Sequence, residues 1–418
     1  MGGVYVHIPF CVQKCAYCDF VSYPAPDIES LAPAYLGAVL GELRLRQDEL
    51  CSVAPINTVY IGGGTPTCVP PRLLGAFLEE LLRAVRAASV DTDRIRPAGD
   101  IEVTVEANPG TVDRAGLAEL RAAGANRLSL GFQSLADHEL VALGRIHSAQ
   151  DCLRAYADTR AAGFGNIGVD LILGTPGQTH ASLASTAAAV IDLEPEHVSA
   201  YCLSLEPGTP LADAVDAGVV SVPDDDAVAD LYDSFVARMA ASAYARYEIS
   251  NFARTGFESR HNVGYWRNGE YIGLGAAAHS HVRVRSAAPV PASASPECAE
   301  LAPASGGGIR SWNTPLVKEY IDVVTHGDLP VAGHEVRTAH EEARDALMVG
   351  LRMSAGIDLG ALSQEYGGDL AGEYGERFRQ LAGCGLVEVV DSGPYRGPRI
   401  RLTPGAFLLA NRVFVECV

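Results

Sequence analysis

The chain has 418 residues and a formal net charge of −19. That charge argues against binding nucleic acid through its phosphates unless a basic stripe stands out, and none does. Its ten cysteines are too few and too irregularly placed for a disulfide scaffold, so a reducing, cytoplasmic setting is expected. No apolar run reaches the roughly eighteen residues a membrane span needs. The first motif begins at residue 11, leaving no room for a leader peptide ahead of it.

That motif is the run from His7 to Phe20, in which Cys11, Cys15 and Cys18 follow a C-x3-C-x2-C spacing. Three thiolates on one short loop can hold a single metal centre. A structural zinc takes four closed ligands, and no second cysteine or histidine pair follows at ligand spacing. A [4Fe–4S] cube is normally held by four thiolates, so three leave one iron for something other than cysteine.

Up to residue 240 the chain alternates β-rich runs with helical spacing. Strands are expected at 4–10, 58–64, 100–109, 126–134, 166–176 and 197–207, with helices such as 31–50, 73–88 and 224–243 between them. Six such units imply a parallel sheet with crossover helices, forming an open or closed barrel whose chemistry sits at the carboxyl ends of the strands. Polar residues fall there: Glu106 and Asn108 after the third strand, Gln133 and Ser134 after the fourth, Gly174, Thr175 and Pro176 after the fifth. Asp170 lies within an apolar strand, where a carboxylate needs a partner or a ligand. The second strand runs into Gly62-Gly63-Gly64-Thr65-Pro66, a turn that suits close backbone contact with a small zwitterionic ligand.

The cysteine loop, the GGGTP turn, Glu106–Thr111, Gly131–Ser134 and Asp170–Pro176 resemble the radical S-adenosylmethionine (SAM) proteins, and within them the branch of oxygen-independent coproporphyrinogen III oxidases and their relatives. The resemblance runs over almost the whole chain. It implies a [4Fe–4S] cluster on Cys11, Cys15 and Cys18, with SAM chelating the open iron through its amino and carboxylate groups. It places Tyr5, Gly63, Gly64, Thr65, Glu106, Gln133, Arg145 and Asp170 around SAM.

The oxidases of this branch carry a further cysteine two residues after the third and a longer leading segment; here that position is Phe20, and ten residues precede Cys11. Both departures match the HemW-like haem chaperones, as does Arg260–Trp266, which contains the H-N-x-x-Y-W haem-binding pattern of that group. His261 is thus the expected axial ligand of haem iron, a role suited to a neutral imidazole beside aromatic neighbours. His279 and His281 form the competing pair, ranked second because their spacing is expected to splay them on a strand. The haem and cluster motifs lie on separate segments, so they are expected to act independently.

Residues 286–308 are low-complexity and expected to form a flexible surface insertion carrying Cys298. From 336 onward helices and two short strands resemble a winged-helix module. That stretch holds nine Arg and no Lys against eleven Asp and Glu, which leaves no electrostatic footprint for DNA. The expected organisation is a partial (β/α)6 barrel over 1–240, a connecting region over 241–335 with the haem motif, and a smaller winged-helix-like domain over 336–418. The expected function is a haem chaperone that binds cluster, SAM and haem and delivers haem to an acceptor protein. The runner-up is a radical SAM oxidase that decarboxylates porphyrinogen propionates, and a zinc-bound adaptor comes third. A homodimer gating haem transfer and peripheral contact with a membrane are compatible with the same residues.

Overall fold

The structure, a computed structural model, describes residues 2–24, 28–53, 55–90, 101–284, 306–390 and 397–417. Six parallel strands alternate with helices: β1 (Gly2–Ile8), α1 (Ile28–Leu45), β2 (Ile56–Gly63), α2 (Pro71–Val90), β3 (Glu102–Ala107), α3 (Arg114–Ala122), β4 (Arg127–Gln133), α4 (Ala149–Ala161), β5 (Ile167–Leu173), α5 (His180–Leu193), β6 (His197–Cys202) and α6 (Asp225–Ala240). The strands pair in sequence order from β1 to β6, all parallel, so all six expected strands form. Period-two alternation divides each strand between two environments. Val59 and Ile61, Val105, Leu128 and Leu130, Val169 and Val198 are buried and belong to one apolar core with residues of the surrounding helices.

The opposite face is polar: Tyr60, Glu106, Arg127, Ser129, Asp170, His197 and Ser199 all line one cavity. A closed barrel of this kind fills its interior with layers of branched apolar side chains. An open one with a polar lining is built to hold something.

The expected connecting region is not a linker. It adds α7 (Arg260–Trp266), β8 (Tyr271–Leu274), β9 (His279–Arg283), β10 (Gly308–Asn313), α8 (Val317–Thr325) and β11 (Val331–Arg337), after a short β7 (Asn251–Ala253) antiparallel to β6. Strand β8 pairs parallel to β1, and β9, β10 and β11 continue antiparallel from it. A buried ionic knot ties this edge to α1. Arg46 bonds both Glu42 and Glu49 at 2.9 Å, while Glu42 also accepts from Tyr320 at 2.6 Å and from the Gly275 N–H at 2.9 Å. Most of the 286–308 segment, with Cys298, lies outside the described residues; Gly308 opens β10.

A second apolar core gathers Leu347, Leu359, Phe378, Ile400 and Phe407. Around it lie α9 (Ala339–Gly350), β12 (Ile357–Asp358), α10 (Leu359–Tyr366), α11 (Leu370–Gly383), β13 (Val387–Val390) and β14 (Arg399–Leu402), with the strands in the order β12-β14-β13. This is the winged-helix-like arrangement. It is joined to the barrel by a buried contact in which Glu342 takes His281 Nε2 at 2.9 Å and Asn268 Nδ2 at 2.8 Å. Among the described residues no helix is long and apolar enough to cross a membrane.

Candidate functional site

The cysteine loop is pinned from both sides. Ala16 N–H donates to Leu143 O at 3.1 Å, Ala16 O accepts from Leu211 N–H at 2.9 Å, and Tyr23 N–H reaches Pro9 O at 2.7 Å. The GGGTP turn closes on the same loop: Gly64 N–H donates to Ile8 O at 2.9 Å and Thr65 N–H to Phe10 O at 2.7 Å. Gly63 has φ +108°, and a Cβ there would stand 2.5 Å from the His7 ring, so only glycine fits. Gly63 N–H is also taken, by Glu106 Oε2 at 3.1 Å. These three N–H groups therefore seat the turn, whereas the sequence suggested that they would meet a ligand.

Cys11, Cys15 and Cys18 open onto one cavity of about 460 Å³, together with Gly63, Gly64, Thr65, Glu106, Gln133, Arg145 and Asp170. Seven of the eight expected SAM residues thus converge. The eighth, Tyr5, lies behind the wall and stacks on Tyr60, with centroids 6.2 Å apart. Of the other strand-end residues, Asn108 lines the cavity. Ser134 instead donates to Glu139 at 2.6 Å, and Gln178 holds the Gly174 N–H at 2.7 Å, which makes that corner structural.

Arg145 organises the thiol end. Its Nη1 donates to Cys15 Sγ at 3.2 Å and its Nη2 to Gly131 O at 2.9 Å, with a further bond to Asn108. Cys11 sits 3.7 Å from Thr65 Oγ1, and burial pushes its thiol up from the ordinary value. A thiolate in such a place needs an adjacent cation, which a metal centre supplies. Among the described residues no three His, Cys, Asp or Glu side chains are grouped around a point suited to one metal ion. Three cysteines of one loop opening on one cavity fit three thiolate corners of a [4Fe–4S] cluster. When bound, cluster and SAM together would supply one-electron chemistry. The residues named would hold those groups.

Burial also tunes the carboxylates. Glu106 accepts from Tyr60 OH at 2.7 Å, yet burial pushes it up to about 7. Asp170 accepts from Ser129 at 3.0 Å and is likewise raised by burial. Gln133 has φ +68° where the β4–β5 register shifts; such a bulge re-aims a side chain at a site.

The haem motif meets this cavity. Asn262 lines it, and His261, only 4% exposed, lies behind Tyr60, stacked on it with ring centroids 5.0 Å apart. The two motifs, on separate segments of the chain, are thus neighbours in space. Both nitrogens of His261 are engaged: Nδ1 with Thr58 Oγ1 at 2.8 Å and Nε2 with Tyr265 OH at 2.9 Å. Burial lowers its pKa to about 3, so the ring is neutral. Trp266 points elsewhere, under the Arg352 guanidinium at 4.4 Å.

Residues two apart on a strand share a face, so the pleat does not splay His279 and His281 as expected. They part because His281 is buried against Glu342 while the exposed His279 stacks on Trp312 at 5.9 Å. Tyr60, Ser129, Arg127 and His197 also line the cavity and escaped the sequence reading. The signal was there in the alternation Arg127, Ser129, Gly131, Gln133 along one strand face. Cys68 and Cys202 line it too, each with its thiol raised to about 11 by burial.

An open barrel with three cysteines and a polar SAM-type lining over its strand ends is the frame of a radical SAM protein. Residues 5–190 match the radical SAM superfamily and residues 338–409 the HemN C-terminal domain. The chain is 35% identical to "Heme chaperone HemW" of Mycobacterium tuberculosis (strain CDC 1551 / Oshkosh) over 98% of this chain and 93% of that one. It is 33% identical to the Bacillus subtilis (strain 168) protein of the same name, over 99% and 98%. The solved coproporphyrinogen III oxidase HemN of Escherichia coli shares the fold at TM-score 0.75 and 22% identity, covering 100% of this chain and 89% of that one. The chain belongs to the HemW-like family of radical SAM proteins.

Proposed function

We propose that the protein is a haem chaperone. It holds a [4Fe–4S] cluster on Cys11, Cys15 and Cys18, and SAM against Gln133, Arg145 and Asp170. It takes up haem through the His261 region and passes it to an acceptor protein in the cytoplasm. The observation that carries this reading is the meeting of the H-N-x-x-Y-W helix with the cysteine cavity, through Asn262 and the Tyr60–His261 stack. Phe20, 69% exposed at the cavity rim where the oxidases place a further cysteine, supports it. So do the two near full-length relatives named as heme chaperones. Because both His261 nitrogens are engaged, haem ligation there requires Tyr265 or Thr58 to give way as α7 opens.

One anaerobically reconstituted sample decides the matter. It should bind about one haem per chain with an imidazole-type Soret band and leave coproporphyrinogen III unconverted when SAM and a strong reductant are supplied. Turnover to protoporphyrinogen under those conditions would replace the chaperone reading with the oxidase.

A further inference from the structure

We propose that the deep end of the cavity is a carboxylate-binding subsite, built from Arg127 and His197 beside Ser129 and Gly168, and that it receives a propionate of the tetrapyrrole. The ligand named rests on the haem reading above; the subsite itself rests on four observations.

Arg127 opens β4, lines the cavity and is 2% exposed. Among the described residues it makes no hydrogen bond or ion pair, and its Nε is buried without a partner. The charges of Glu106 and Asp170 are felt there. Both carboxylates, however, are bonded to other donors: Glu106 to Tyr60 and the Gly63 N–H, Asp170 to Ser129. A guanidinium taken out of water without a bonded anion is costly, which is why buried arginines are paired or occupied.

His197 points the same way. It is 1% exposed, and its Nδ1 is buried and unpartnered. Its Nε2 meets Tyr247 OH at 2.9 Å. With the tyrosine hydroxyl donating to Nε2, the imidazole proton sits on Nδ1, which then faces the cavity as a donor.

Gly168 shows how closely these groups gather. The point a Cβ would occupy there lies 3.2 Å from Arg127 Nη2, 3.2 Å from Ser129 Oγ and 3.4 Å from His197 Nδ1. The guanidinium and the imidazole therefore stand close enough together on one side of the sheet to share one carboxylate, while the Ser129 hydroxyl between them is given to Asp170.

Depth separates this subsite from the thiol end. Arg145 is bound to Gly131 O, and from Gly131 down to Arg127 the strand runs about 13 Å. An anion held by Arg127 is therefore a different group from one held beside the cysteines.

The test titrates iron protoporphyrin IX and its dimethyl ester into the full-length, cluster-loaded protein. Wild type should bind the free acid about tenfold or more tighter than the ester. Arg127→Met should lose that preference by weakening the acid about tenfold and leaving the ester unchanged. Gly168→Ala crowds the cradle, pressing on Arg127 and His197 while keeping the charge, and should give the same loss, so the test survives if the arginine variant does not fold. SAM affinity, measured on the same variants, should change less than about threefold. Equal affinity of wild type for acid and ester overturns the subsite but leaves the haem reading standing. Uptake of neither overturns both. A loss of SAM affinity matching the loss for haem assigns the cradle to the methionine carboxylate and overturns the proposal.

Discussion

His261 stacks on Tyr60 with ring centroids 5.0 Å apart, and the same Tyr60 donates its hydroxyl to Glu106 at 2.7 Å. One aromatic ring therefore backs the expected haem ligand and fixes a carboxylate in the cluster cavity. The two motifs, more than two hundred residues apart in the chain, share a wall. Movement of α7 toward haem would be felt at Glu106, and a ligand at Glu106 would be felt at His261.

Reconstitution should yield about four iron and four sulfide per chain. Replacing Cys11, Cys15 or Cys18 by Ser should abolish both. Cys68→Ser should not, although Cys68 shares the cavity, because it follows the GGGTP turn and lies outside the C-x3-C-x2-C loop. Iron and sulfide analysis checks this. Loss of the cluster in Cys68→Ser would make it a fourth ligand.

SAM binding should fall tenfold to a hundredfold in Asp170→Ala and in Gln133→Ala, the loss of one polar contact worth roughly 1–3 kcal/mol. Equilibrium dialysis on cluster-loaded protein measures it. Unchanged affinity in both variants would place SAM elsewhere.

Glu106 should make the cofactor-free protein less stable as pH rises. Its carboxyl titrates near 7 when folded against 4.5 as the ordinary value, so the folded state binds the proton more tightly between those limits. Stability is highest below about pH 4.5 for this group and declines until about pH 7, by roughly 3 kcal/mol in all. Glu106→Gln should lack that decline. Urea unfolding of both proteins at pH 5 and pH 8 gives the comparison; identical pH dependence would contradict it.

His261→Ala should weaken haem uptake or shift the Soret band, while Tyr265→Phe should strengthen it severalfold, since it removes the hydroxyl that holds Nε2 at 2.9 Å. The same change should cost about 1 kcal/mol of stability, the worth of one buried hydrogen bond. Haem titration and chemical denaturation of Tyr265→Phe report the two effects separately. Weaker haem binding in Tyr265→Phe would mean that the tyrosine serves the ligand and does not restrain the histidine.

The residue order alone determined the (β/α)6 frame and the three-cysteine loop, and the resemblance to a known family pointed to seven residues that line the cavity. Strand periodicity and motif spacing are local properties, and parallel strands bring their carboxyl ends together whatever the helices between them contain. Tertiary structure decided the rest. It extended the sheet with β8 to β11 from the expected connecting region, because β8 finds its partner in β1, far away in sequence. It put His261 under Tyr60 with both nitrogens bonded, and it set His281 against Glu342 of the second domain. It gathered Arg127, Ser129 and His197 beside Gly168. Such placements depend on which strands lie side by side and at what register, and register is a relation between distant segments. A single strand shows which of its residues share a face, but only the closed fold shows what that face looks upon.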